Sequence, residues 1–295
     1  MRREHRIKTG ALVPLLALGL ALPGCSASTT TGTTSSTTPP SIPASTPAST
    51  PASTPTTAAS NWFPLQPGTE FVYNGTVIDA EGSHTHRNIF TVTDLVKPID
   101  GQLAVVAWDQ DFQDGVLAEA ELALFVQDAN GDVRTVAEYP EEYENGKFSG
   151  APSVWVSGLA NAQAGILVPG NPKVGTPQFT QGRAPKVNFY DVGRVFRSGA
   201  QLCTPAGCYD QVTVIQEWNP LAPEDGKQFK YYAPNVGVVR ISADGGGSRE
   251  DMTLTRVRTL GADAMAVARK AALRLDGRGS ELNTVWAKTT PAYRR

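Results

Sequence analysis

From residue 61 to residue 261 the chain is a succession of short strand signals with no helical period between them. The runs "TEFVYNGTVI" (69–78), "RNIFTVTDLV" (87–96), "LAVVAWDQDF" (103–112) and "LAEAELALFVQD" (117–128) are rich in β-branched and aromatic residues, with turn-forming residues between them. "RVFRSGAQL", "CYDQVTVIQEW", "KQFKYYAP", "VGVVRISA" and "DMTLTRVRTL" continue the series. A parallel sheet would need a crossover, usually a helix, between successive strands, and that alternation is missing. The expected fold is mainly β: an antiparallel sheet curled into a barrel, half-barrel or sandwich. Asn130-Gly131 predicts a hairpin with a type I′ turn. The Pro-Gly pairs at 67–68 and 169–170 predict turns, and Gly237 inside a strand run predicts a bulge or a close backbone approach. Tyr73, Tyr231 and Tyr232 are expected to pack or hydrogen-bond on a sheet face.

The two ends of the chain differ from this body. A basic start (1–8) leads into the apolar run Ala11 to Leu22, 12 residues long. Spanning a bilayer takes roughly 20 apolar residues, and Pro14, Gly19 and Pro23 argue against a buried helix, so residues 1–24 read as an export signal. Leu22-Pro23-Gly24-Cys25 resembles the lipobox of bacterial lipoproteins, which implies a lipid-modified Cys25 after cleavage. Residues 26–60 are almost wholly Ser, Thr, Pro, Ala and Gly, with three tandem Pro-Ala-Ser-Thr units from Pro43 to Thr54. Such a composition buries too little apolar surface to offset its ordering entropy, so 25–60 reads as a disordered tether reaching roughly 100 Å. The expected location is the extracytoplasmic side of the cell membrane, with the bilayer as partner through the acylated N-terminus.

Charge is divided unevenly. Residues 25–252 carry 13 Lys/Arg against 24 Asp/Glu, a net of −11, whereas 253–295 carry 9 against 3, a net of +6. Within the basic tail (262–295) a helix is expected from Ala262 to Leu275, with Arg269, Lys270 and Arg274 capping its later turns. A basic tail on an acidic body also suits contact with anionic lipid or cell-wall polymer. The division expected is therefore an export signal (1–24), a tether (25–60), a β-domain (61–261) and the tail (262–295).

Candidates for chemistry are few. Cys203 and Cys208 flank Thr-Pro-Ala-Gly and predict a disulfide across a hairpin, since an exported chain meets an oxidising compartment. His84 and His86 share a strand face but lack a third ligand, so they read as exposed polar residues and no metal is expected. Asp109, Asp111 and Asp114 form one acidic group, and Asp128, Asn130 and Asp132 another; neither follows an EF-hand, and both read as solvated turns. Nucleophile elbows, phosphate-binding glycine loops and His-Glu-x-x-His are absent, and no cofactor is implied. Carboxylate pairs of the glycosidase kind stay open, because their spatial separation is not written in the sequence. The acidic body argues against nucleic acid.

Several segments together resemble an uncharacterised family of bacterial secreted β-proteins and lipoproteins. They are "WFPLQPGTEFVYNG" (62–75), "QDANGDVRTVAEYPEEYENGKF" (127–148), "GLANAQAGILVPGNPKVG" (158–175), "TPAGCYDQVTVIQEW" and "KYYAPNVGVVRI". The resemblance implies an exported β-domain and brings no catalytic residues. "QGRAPKVNFYD" (181–191) departs from it, keeping only Asp191 where the family carries several acids. The expected function is a tethered, non-enzymatic domain binding an apolar ligand such as lipid in the cavity of a curled sheet. Two alternatives stand beside it: a module contacting cell-wall polymer or a partner protein, and a carbohydrate-active enzyme.

Overall fold

The computed structural model describes residues 62–245 and 247–295; the signal segment, Cys25 and the tether lie outside the described residues. The strands in chain order are β1 (Thr69–Asp79), β2 (Gly82–Ile99), β3 (Gln102–Gln113), β4 (Val116–Gln127), β5 (Val133–Glu144), β6 (Lys147–Gly150), β7 (Trp155–Val156) and β8 (Gln163–Val168). They continue as β9 (Phe179–Ala184), β10 (Phe189–Thr204), β11 (Gly207–Trp218), β12 (Lys227–Ala233), β13 (Gly237–Gly245) and β14 (Ser248–Thr259). Helix α1 (Ala262–Leu282) and the short β15 (Tyr293–Arg294) complete the chain. β1 pairs with both β2 and β14, so the sheet closes into a 12-stranded antiparallel barrel. β6 and β7 attach to β5, and β15 pairs with β2.

Local chemistry sets the meander. Asp100-Gly101, Asp114-Gly115 and Asn145-Gly146 each carry positive φ at both residues, the requirement of a two-residue type I′ hairpin. Asn130-Gly131 departs from the expectation, because only Gly131 has positive φ. There the Gly131 N–H donates to the Asp128 carbonyl (2.9 Å) and the Asp128 N–H to the Asp132 carbonyl (2.8 Å), giving a longer loop. Gly237 is the first residue of β13, with positive φ, beside the register shift between Val238 and Arg240, and the 62–64 segment passes close to it. Pro67-Gly68 does turn the chain into β1, and the Tyr73 hydroxyl donates to the Val238 carbonyl (2.9 Å).

Period-two alternation divides the sheet into an inner and an outer face. On β3, Val105 and Ala107 belong to the inner cluster with Phe71, Phe90 and Phe125, while Ala104, Val106 and Trp108 belong to the outer one. Phe63, from the segment before β1, enters the inner cluster, with its ring centroid 5.3 Å from that of Phe125 and 5.8 Å from that of Phe90.

The outer cluster lies beneath α1, which buries Met265, Ala268, Ala271, Ala272, Leu275, Asp276 and Gly279 along one stripe. The helix runs beyond the expected Leu275 because its last turns are held by tertiary contacts. Asp276 accepts from Lys97 Nζ (2.6 Å), from Trp286 Nε1 (2.8 Å) and from the Ala292 N–H (2.8 Å). Arg269 is therefore mid-helix. It does not cap the helix end but pairs with Asp94 on β2, its Nε 2.8 Å from Oδ1. Cys203 and Cys208 are register partners on β10 and β11 and are joined by a disulfide.

Candidate functional site

The distinctive chemistry of the barrel is inside it. The Asp-Gln-Asp of β3 and the Glu-Ala-Glu of β4 each place two carboxylates on the inner face, since alternate residues point the same way. The register sets Asp109 opposite Glu121 and Asp111 opposite Glu119. Glu138 on β5 stands opposite Ala123, one step along from Glu121. Glu217 from β11 and Glu250 from β14 are also buried and paired to groups on the inner wall. Two cations answer these carboxylates directly. His86 bridges Asp111 through Nε2 (2.5 Å) and Glu250 through Nδ1 (2.5 Å), and Lys230 Nζ meets Glu217 (2.6 Å). Neutral donors add to them: Asn88 to Asp109 (2.6 Å), Trp155 Nε1 to Glu138 (2.7 Å) and Gln181 to Glu217 (2.8 Å).

Glu121 is only 1% exposed and neither of its oxygens has a hydrogen-bond partner. Ionising it there is costly, so it holds its proton well above the usual carboxylate range, through burial first and then the charges of Glu138, Glu119 and Asp109. Glu119 is raised in the same way by burial and by Asp111 and Asp109. Burial, with the Asp111 charge added, pushes Asp109 up to about 8, against the pull of the Asn88 hydrogen bond. Burial lifts Glu138 to about 7, while the Trp155 N–H and the Lys230 charge hold it down. Burial disfavours the charged form of His86, but its bonds to Asp111 and Glu250 outweigh that and raise it to about 10. The interior is thus a store of protons at neutral pH, locked between sheet walls.

These positions correct several expectations from the sequence. His86 is buried, not exposed, and does not share a ligand with His84, which pairs with Asp114 (2.8 Å) near the β3–β4 turn. Asp109 and Asp111 are not in a solvated turn but on the inner wall; only Asp114 sits in the turn. Asp128, Asn130 and Asp132 do form a turn, bonded to Arg134, to each other and to the Gly170 N–H. Among the described residues no three His, Cys, Asp or Glu side chains are placed to hold a metal ion. Asp109 and Glu121 face each other across β3 and β4 but are 4% and 1% exposed, so this pair offers a sugar no approach. The pocket beside them, walled by Phe63, Phe71, Phe90, Tyr73, Lys230 and Tyr232, has room for about one water molecule.

No family model matches the sequence, and no curated protein matches it. Solved structures with a similar chain path include a candidate exported protein with a YmcC-like fold from Bacteroides fragilis, at 18% identity and a TM-score of 0.34, covering 67% of this chain and 99% of that one. A candidate lipoprotein from Parabacteroides distasonis matches at 16% identity and a TM-score of 0.31, covering 68% and 99%. A β-barrel-like protein of a domain of unknown function from Brucella abortus matches at 13% identity and a TM-score of 0.36, covering 65% and 98%. Likenesses this distant carry no argument about activity, and the barrel described above rests on its own strand pairing.

Proposed function

We propose that this protein is an exported barrel, tethered to the membrane through lipid on Cys25, that works as an interaction module in the cell envelope by its outer surface. One observation carries the choice between ligand carrier and interaction module: the barrel is filled. Aromatic side chains around Phe63 occupy one part of the interior and buried carboxylates another, and the pocket between Phe63 and Lys230 has room for about one water rather than an acyl chain. Lipid binding as first expected would require the Phe63 segment to leave the inner cluster, breaking its contacts with Phe90 and Phe125. The tether reading is supported by the basic start, the short apolar run and the Leu-Pro-Gly-Cys sequence ahead of the Ser/Thr/Pro segment.

Two experiments test the two halves. Labelling cells with radioactive palmitate should mark the wild-type protein and not Cys25→Ala; label on both, or on neither, contradicts the anchor. The detergent-purified full chain should co-sediment with purified cell-wall polymer or capture an envelope protein in intact cells. Failure to engage either contradicts an interaction module.

A further inference from the structure

We propose that the outer face of strands β9 to β13 is a docking surface for an acidic polysaccharide. This deepens, and rests on, the interaction-module reading above. The pairing register puts Arg194 beside Gln216 and Gln216 beside Phe229, and it puts Tyr231 beside Arg240. All of these point outward, because their chain neighbours Ile215, Glu217 and Lys230 point into the barrel. The Arg194 guanidinium lies 6.0 Å from the ring centres of both Phe196 and Trp218, Lys227 Nζ lies 5.9 Å from Trp218, and Arg240 lies 5.3 Å from Tyr231. Phe196 and Phe229 meet edge to face at 5.3 Å, and Arg183 stands 5.8 Å from its register partner Tyr190 across β9 and β10. Five cation–aromatic contacts thus fall between Arg183 and Arg240, where about one per 70–80 residues is usual.

Among the described residues, Arg183, Arg194, Phe196 and Lys227 stay exposed on this face. Helix α1 shields the outer side of β2 to β4, whereas Phe196 stays 49% exposed. The sequence hides the sign of this surface: the body is strongly acidic in total, but many of its carboxylates face into the barrel. Outside, Arg183, Arg194 and Lys227 are exposed. Asp251 is already held by two bonds from Arg240, at 2.9 and 2.6 Å, and Glu224 and Asp225 sit at the margin in the β11–β12 connection.

The chemistry selects the occupant. Flat aromatic rings offer stacking platforms, and guanidinium groups bind carboxylate or phosphate oxygens in pairs. A ligand with repeated flat faces and regularly spaced anions, such as a uronate-bearing glycan, meets both requirements at once. An apolar protein patch would desolvate the exposed Arg183 and Lys227 and the Arg194 guanidinium, which has only a neutral partner in Gln216 (2.7 Å). A bilayer surface suits the polar Ser242, beside Phe229 in the register, less well.

The test uses the detergent-purified full chain with four probes: polygalacturonate, neutral dextran, inorganic polyphosphate and vesicles rich in anionic lipid. Polygalacturonate should bind in a salt-sensitive manner and dextran should not, while polyphosphate and vesicles should bind more weakly. Phe196→Ala and Arg194→Gln should each weaken polygalacturonate binding about tenfold with the melting temperature held. The proposal is overturned by no binding to polygalacturonate, by binding that both variants leave intact, or by polyphosphate or vesicles binding as tightly. Such a failure with wall co-sedimentation preserved would leave the interaction module standing on another surface. Stoichiometric lipid in the purified protein would remove the module reading itself.

Discussion

A barrel whose inner wall stores protons should lose stability as pH rises through the neutral range. The sign follows from linkage: a carboxyl with a folded pKa above its unfolded value contributes stability that is complete below the unfolded value and lost on approach to the folded one. Asp109 moves from 3.8 to about 8 and Glu138 from 4.5 to about 7. Each pH unit between the two values is worth about 1.4 kcal/mol per group, so these two alone withdraw on the order of 6 kcal/mol between pH 5 and pH 8. His86 acts in the same direction, because its folded pKa of about 10 means that its contribution fades as pH rises from 6.5. For a domain of this size the loss corresponds to a fall in melting temperature of about 10–25 °C. Circular dichroism melts of the protein at pH 5, 6, 7 and 8 read this directly. Glu121→Gln, which removes one of the facing carboxylates, should flatten the slope and gain on the wild type as pH increases. A melting temperature that stays constant or climbs from pH 5 to pH 8 would refute the buried-carboxylate argument.

Other consequences are local. A methyl at Gly279 would meet Trp286 Cδ1 at 2.6 Å and Tyr139 Cε2 at 2.9 Å, so Gly279→Ala should cost about 2 kcal/mol and expose the tail to trypsin. Gly277, two residues earlier, has nothing within 4 Å, and Gly277→Ala should stabilise the helix by roughly 0.5–1 kcal/mol. Removing the Cys203–Cys208 bond with a double serine variant should cost about 2 kcal/mol, as expected for so short a loop, and leave the far side of the barrel unchanged in hydrogen exchange.

Much of the architecture was legible because it is local. Strand runs and the missing helix period point to an antiparallel sheet without any tertiary information, and the 203–208 spacing points to a hairpin bond. Closure was not legible, since it depends on β1 meeting β14, a pairing such as Thr69 with Thr259 that no local signal encodes. The helix outran its expected end because Asp276 and Gly279, poor helix formers in isolation, are stabilised by Lys97, Trp286 and Ala292. The inner carboxylates were misread for a good physical reason: isolated buried charge is so costly that acidic clusters normally mean solvent. The signal was nevertheless there, in Asp-Gln-Asp and Glu-Ala-Glu, each alternating with period two near one hairpin. Net charge misled in the same way, because it sums carboxylates inside the barrel with cations outside it.

The central claim is that the barrel is filled and works from its outer surface. Its most direct test is to express residues 61–295, purify the folded domain, extract it with organic solvent and analyse the extract by mass spectrometry beside a native mass of the intact protein. The account predicts a native mass equal to that of the polypeptide and an extract without stoichiometric lipid. A lipid or other apolar molecule present at one per chain would contradict it and place the working site inside the barrel.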